Sequence, residues 1–161
     1  MGSGNSGLYS GTYGSRSSFV SGDASFMRKD DNFVKYISMR KDVDPGGTFD
    51  LIAHGTANGI EVSHNGSKIT INSRTAARLI RQLPGYHGQD IRLLSCSTGA
   101  RSEGFAQSLA NKLNVSVKAP SDLLWANPSG RYYVAARSKD GKPDLSKKGK
   151  FITYRPGGNK K

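Results

Sequence analysis

The chain has 161 residues, 35% of them apolar, which is the length of one domain with enough hydrophobic side chains for a single small core. Its one cysteine excludes an internal disulfide and a cysteine-based zinc site, and no apolar run approaches the about 18 residues that span a bilayer. The formal net charge of +12 is unevenly placed: residues 138–161 carry eight Lys/Arg against two Asp, half of the total.

Residues 1–25 are rich in Gly and Ser and read as coil. The opening "MGSGNSGLYSGTYGSRSS" has neither the basic nor the apolar region of a secretory signal. In "DDNFVKYISMRK" (30–41), Phe33, Val34, Ile37 and Met39 fall at roughly helical spacing, with acids first and bases last, as the helix dipole favours. "DVDPGG" breaks the chain, and "TFDLIAHG" follows as a short apolar strand. "GIEVSHNGSKITI" alternates on either side of Asn65-Gly66 and predicts a β-hairpin. Ser73 is placed to cap a helix over "SRTAARLIRQL", whose Ala76, Ala77, Leu79, Ile80 and Leu83 form one apolar stripe. "DIRLLSC" is a second buried-type strand. "SEGFAQSLANKLN" is a helix with Phe105, Leu109 and Leu113 in line and Asn114 at its end, and "VSVKAP" is a third core strand. "DLLWANPSG" reads as a loop carrying the only Trp, "RYYVAAR" as a strand and "KFITYR" as a terminal edge strand. This order predicts an α/β fold: a largely parallel sheet, helices on both faces and a β-hairpin insertion. The domain is expected over 30–137, between an irregular segment 1–29 and a basic tail or edge strand 138–161.

In parallel sheets, functional groups gather at the carboxyl ends of the strands. His54 ends one core strand and Cys96 ends the next, forty-two residues later. As parallel neighbours they would emerge on one edge, within reach of one carbonyl carbon. An ordinary thiol is only a few per cent thiolate at neutral pH; a nearby imidazole deprotonates it and then protonates the leaving amine. The small residues of "SCSTG" let backbone N–H groups face an oxyanion, and Gly55 offers another. The positive end of the helix expected near Ser102 would help to lower the thiol pKa. Against this stands the common alternative that Cys96 is a buried small hydrophobe.

An apolar strand ending in His-Gly, then an apolar strand ending in Cys about forty residues on, resembles the caspase–clostripain–gingipain group of cysteine peptidases. "LIAHG" and "LLSCS" are most similar to the self-cleaving cysteine protease domains of large bacterial toxins. The stretch from Gly88 to Gly130 also resembles C-terminal modules of Rhs-type polymorphic toxins. The resemblance covers roughly residues 48–137. It implies a caspase-like three-layer sandwich, His54 as general base and acid, Cys96 as nucleophile, and Gly55 with the Cys96 amide as oxyanion hole. It also implies a substrate pocket just beyond the third core strand, where Asp122 would suit a basic P1 side chain and Trp125 would form an apolar wall. "SCST" departs from the "ACRG"-like flank of caspases, so caspase specificity does not carry over.

Asp50 precedes His54 by four residues on the same strand: it is a candidate to orient the imidazole, but at the far end of a strand it reads more readily as buried structure or a solvent-facing charge. His64 and His87 read as exposed loop histidines, and Glu103 as a first-turn helix charge. No metal site or cofactor is expected. The expected partners are a protein substrate, a cognate immunity protein and an acidic or polyphosphate ligand at the basic tail, with no membrane span. The setting implied is a module of a larger secreted toxin, or one delivered into a target cell. Two other classes stay open: a basic toxin domain acting on nucleic acid, and a non-catalytic α/β binding module with Cys96 inert.

Overall fold

A computed structural model of the chain describes residues 23–26, 31–44, 47–64 and 67–157. Among these lie three helices, α1 (Asn32–Ile37), α2 (Ser73–Arg81) and α3 (Phe105–Leu113). The strands are β1 (Asp23–Ser25), β2 (Thr48–Ile52), β3 (Gly55–Thr56), β4 (Gly59–His64), β5 (Ser67–Ile71), β6 (Asp90–Leu94), β7 (Val117–Pro120), β8 (Leu124–Ala126), β9 (Tyr132–Arg137), β10 (Pro143–Lys148) and β11 (Phe151–Tyr154). The protein is mixed α/β. Its central sheet runs β1-β2-β6-β7-β11, with the first four strands parallel and β11 antiparallel at the edge. β3–β5 and β8–β10 form two smaller antiparallel sheets.

Alternation along the central strands builds two cores. Phe49 and Leu51 of β2, with Ile91 and Leu93 of β6, pack against α2, α3 and the β4–β5 hairpin. Ile52 and Leu94 point the other way, into Val34 and Ile37 of α1 and into Leu124 and Val134 of β8 and β9. Full burial of each such side chain stabilises the fold by about 1.5–3 kcal/mol.

The helix ends follow local chemistry. α2 is capped by Asn72, whose side chain accepts from the Thr75 N–H at 3.0 Å, and not by Ser73. The Ser73 hydroxyl instead meets that of Ser108 at 2.6 Å and ties α2 to α3. α3 begins at Phe105, further from Cys96 than Ser102, and stops at Asn114, which takes the left-handed conformation at φ 58°. Met39 is exposed and lies outside the apolar stripe of α1. Residues 1–22 lie outside the described residues. Asp23–Ser25, within the stretch read as coil, adds a parallel strand to β2, and the stretch read as a loop around Trp125 holds β8. The "KFITYR" strand is at the sheet edge, as expected.

On the face of β2 that carries Ile52 there is a carboxylate. Asp50, 1% exposed, sits opposite Arg92 in the β2–β6 register. It accepts from Arg40 Nε at 3.1 Å and from an Arg40 terminal nitrogen at 2.8 Å, and from Arg92 Nε at 2.9 Å and an Arg92 terminal nitrogen at 2.7 Å. Of the sequence-based readings of Asp50, buried structure holds and orienting His54 does not: its carboxylate serves the two arginines. Arg92 also donates to Asp42 at 3.0 Å and to the Tyr132 hydroxyl at 2.6 Å, and that hydroxyl bonds to Asp42. Desolvation works to raise the Asp42 carboxyl, but the bonds from Tyr132 and Arg92 outweigh it and hold it below the usual carboxylate value. Burial, with Asp42 beside it, pushes the Tyr132 phenol up.

The two carboxylates of this network should differ in mutational cost. Asp50→Ala removes the carboxylate from between two guanidinium groups and should destabilise by about 3–5 kcal/mol. Asp42, with a side chain 53% exposed, should cost about 1 kcal/mol or less on the same change. Urea denaturation of the two variants measures the difference; equal losses would refute this ranking.

Candidate functional site

β2 and β6 stay in register through the pair Ile52–Leu94, and the Ala53 N–H extends the pairing to the Leu94 carbonyl at 3.3 Å. His54 and Cys96 each stand two residues past that pair, so they leave the same sheet edge side by side. Gly55 lies against the cysteine turn: a Cβ there would be 2.8 Å from the Cys96 carbonyl oxygen and 2.7 Å from the Thr98 methyl. A larger residue would push the two strand ends apart. The Glu61 N–H donates to the His54 carbonyl at 2.9 Å, which makes Gly55–Ile60 a non-hydrogen-bonded pair of the β3–β4 ladder. The Gly55 N–H consequently points out of that ladder.

The turn after Cys96 is held from several sides. Ser97 adopts φ 61°, a conformation disfavoured for a residue with a side chain. Its N–H donates to the Asp122 carbonyl at 2.9 Å, and the Gly99 N–H donates to Pro120 at 2.8 Å. The Ser95 and Thr98 hydroxyls meet at 3.1 Å beneath the turn, and Tyr154 donates to the Gly99 carbonyl at 2.6 Å. The half-buried Cys96 Sγ accepts from the Leu124 N–H at 3.3 Å. Burial raises the thiol pKa above its ordinary value; the Leu124 amide and the Arg137 cation oppose this, and Asp122 reinforces it. This direction favours the neutral thiol over a preformed thiolate at neutral pH.

Among the described residues no hydrogen bond joins His54 to Cys96. The imidazole, its side chain 50% exposed, places Nε2 3.4 Å from Asp31 Oδ2. The other oxygen of Asp31 caps α1 through the Phe33 N–H at 2.8 Å. His54 also borders a cleft of about 370 Å³ lined with Gly55, Thr56, Glu61, Lys68 and Thr70; Cys96 does not line it.

Asp122 and Trp125 both adjoin the thiol turn. Asp122 is joined to it by the backbone bond to Ser97, and one of its carboxylate oxygens accepts from the Leu123 N–H at 2.8 Å. Trp125 follows the Leu124 that contacts Sγ; its indole N–H donates to Ala135 at 2.9 Å, and the Arg137 guanidinium lies 5.9 Å from its ring centre. Sequence reasoning missed Asp31 and Arg137. Arg137 shares a face with Trp125 by strand alternation from the Trp125–Tyr133 pair, a signal legible only once β8 is known to be a strand. His87 is exposed, as expected; Glu103 is exposed too but precedes the N-cap Gly104, so it is not the first-turn helix charge expected of it. His64 ends β4, and its side chain lies outside what is described.

Among the described residues no group of three or more His, Cys, Asp or Glu is disposed to hold a metal ion, and no helix is long and apolar enough to cross a membrane. A family model described as "Domain of unknown function (DUF8616)" matches residues 22–134, the stretch that holds Asp31, His54, Cys96, Asp122 and Trp125. No curated protein matches the chain.

The raised thiol pKa sets a pH dependence for alkylation. The thiolate reacts, so the iodoacetamide rate of the native protein should be slower at pH 7 than that of free cysteine and should climb steadily through pH 9. Stability should fall over the same range, because the unfolded thiol loses its proton first, from about pH 8.5. A rate already at its plateau near pH 6–7 would show a preformed thiolate, and so that burial does not outweigh the Leu124 amide and Arg137 at Sγ.

Proposed function

The chain belongs to the family described as Domain of unknown function (DUF8616), and within it we propose a cysteine peptidase, or a closely related thiol acyl-transfer enzyme, of the caspase–clostripain–gingipain kind. The observation that carries this is the placement of His54 and Cys96 two residues beyond one register pair of adjacent parallel strands, with Gly55 seated on the Cys96 carbonyl. The coarse architecture, a mostly parallel sheet covered on both faces, supports a caspase-like sandwich.

The chemistry follows from the protonation state. His54 removes the Cys96 proton as Sγ attacks the substrate carbonyl carbon. The oxyanion is met by the N–H groups of Gly55 and Cys96. His54 then gives its proton to the leaving amine, and the acyl-thioester is hydrolysed by water that His54 activates in turn. The half-exposed imidazole is open to substrate, while the half-buried thiol is held at its turn by the Leu124 N–H. The substrate would lie across the strand ends, between the cleft that His54 borders and the residues Asp122 and Trp125 beside the thiol turn; one Asp122 carboxylate oxygen accepts from the Leu123 N–H and the other would meet a basic P1 side chain. A role as an effector or processing module of a secreted bacterial toxin, with a protein substrate and a cognate immunity protein, fits this chemistry.

The acidic or polyphosphate ligand expected at the basic tail has a more definite location in this reading: an open groove of about 1050 Å³ bordered by Lys41, Arg131, Tyr132, Tyr133, Lys150 and Phe151. The same groove favours the second reading, a domain acting on nucleic acid, which would bind with a steep salt dependence.

Comparing new protein termini produced in a proteome by the wild type and by Cys96→Ala tests the peptidase directly. Cys96→Ala and His54→Ala should each abolish cleavage, and the double variant should be little worse than either, since the two act as a unit. EDTA should leave the rate unchanged. Near-wild-type cleavage by either single variant would remove the dyad.

A further inference from the structure

His54 meets a carboxylate held on a fixed support. Asp31 uses Oδ1 to cap α1 and its carbonyl to accept the Lys35 N–H at 3.1 Å, so neither the residue nor its side chain turns freely. The helix behind it is seated by the fully buried Val34 and Ile37. Its last carbonyl, that of Ile37, accepts from Arg40 at 2.9 Å, and Arg40 is itself locked onto Asp50. The remaining oxygen, Oδ2, faces His54 Nε2 at 3.4 Å. That is looser than a formed N–H···O bond, as is common before a substrate is bound.

A carboxylate can only accept from a neutral imidazole, so the ring nitrogen beside it carries the proton and the other keeps its lone pair. We infer that Asp31 is a positioning residue that holds the proton on Nε2 of His54 and leaves Nδ1 as the basic nitrogen. Its meaning for catalysis rests on the peptidase reading; its effect on the ring does not. A base whose tautomer and orientation are set in advance takes the thiol proton without first reorganising.

The test separates the helix cap from the imidazole contact. Asn and Ser are both good N-caps, so Asp31→Asn and Asp31→Ser should leave the thermal midpoint within about 2 °C of wild type. Both remove the carboxylate. Asn, capping through its oxygen, presents N–H groups to Nε2, and Ser is too short to reach it. In ¹⁵N spectra of the His54 ring in the full chain, recorded where the imidazole is neutral, the wild type should show the Nε2–H form. Asp31→Asn should shift the proton to Nδ1, and Asp31→Ser should give a mixture. On a peptide taken from the terminus comparison, both variants should lower kcat about tenfold with little change in KM. An unchanged tautomer ratio in both variants overturns the inference, even with an active wild type. Altered ratios with no cleavage by the wild type uphold the positioning of His54 and remove the peptidase reading instead.

Discussion

A carboxylate buried between two guanidinium groups cannot be displaced without stranding charge in a medium that solvates it poorly, and Asp50 is held in that way by Arg40 and Arg92. The apolar contacts on this side of the sheet, from α1 to Leu124 and Val134, favour burial but not any one orientation. The hydrogen bonds do. Through Arg40 they fix the end of α1, through Arg92 and Tyr132 they fix β9, and through Asp42 they fix the chain leaving α1. α1 has six residues, too few to be helical alone in water, so its position is borrowed from this network and from Val34 and Ile37. Where α1 sits decides where Asp31 sits, and with it the environment of His54.

The same sheet separates two kinds of work at its two ends. Toward the start of β2 and β6 the surface is a polar cleft with Asp44, Asp90 and Lys118 around the ion network. Toward their carboxyl ends stand His54 and Cys96. The cysteine side is rigid: the turn is sealed by Gly55 on one flank, while Gly99 lies so close to β7 that a Cβ there would come within 2.5 Å of the Ala119 carbonyl oxygen. The histidine side is open. In the proposed reading the thiol turn is held by backbone bonds, while the imidazole is open to substrate and oriented by Asp31.

Much of this was legible in the sequence. β2, β6 and β7 are short apolar runs bounded by breakers, α2 and α3 carry clean stripes, and the hairpin alternates. The pairing of His54 with Cys96 at one edge followed from two strand ends and the parallel topology that an α/β order implies. What stayed hidden depends on contacts distant in sequence. Asp23–Ser25 has no strand propensity and is extended because β2 offers it an edge. β8 lies in a stretch with Asn127 and Pro128 and is a strand because β9 returns beside it. Asp50 was legible as buried structure, but its partners were not: Arg40 and Arg92 come from a helix end and a neighbouring strand. Asp31 reads only as an acid at a helix start; that it caps α1, and that its second oxygen faces an imidazole, comes from the structure.

The edge strand β11 has a consequence for the order in which the protein is made. Tyr154 reaches across β7 to the carbonyl of Gly99, Gln107 of α3 donates to the Arg155 carbonyl at 2.7 Å, and the Gly157 N–H donates to Asn111 at 2.6 Å. The turn that carries Cys96 is therefore finished by residues translated more than fifty positions later. A nascent chain can close β1, β2, β6 and β7 while still on the ribosome, yet its thiol turn lacks its last support until the segment through Gly157 has emerged. Synthesis thus imposes its own delay between folding the sheet and completing the surroundings of the cysteine.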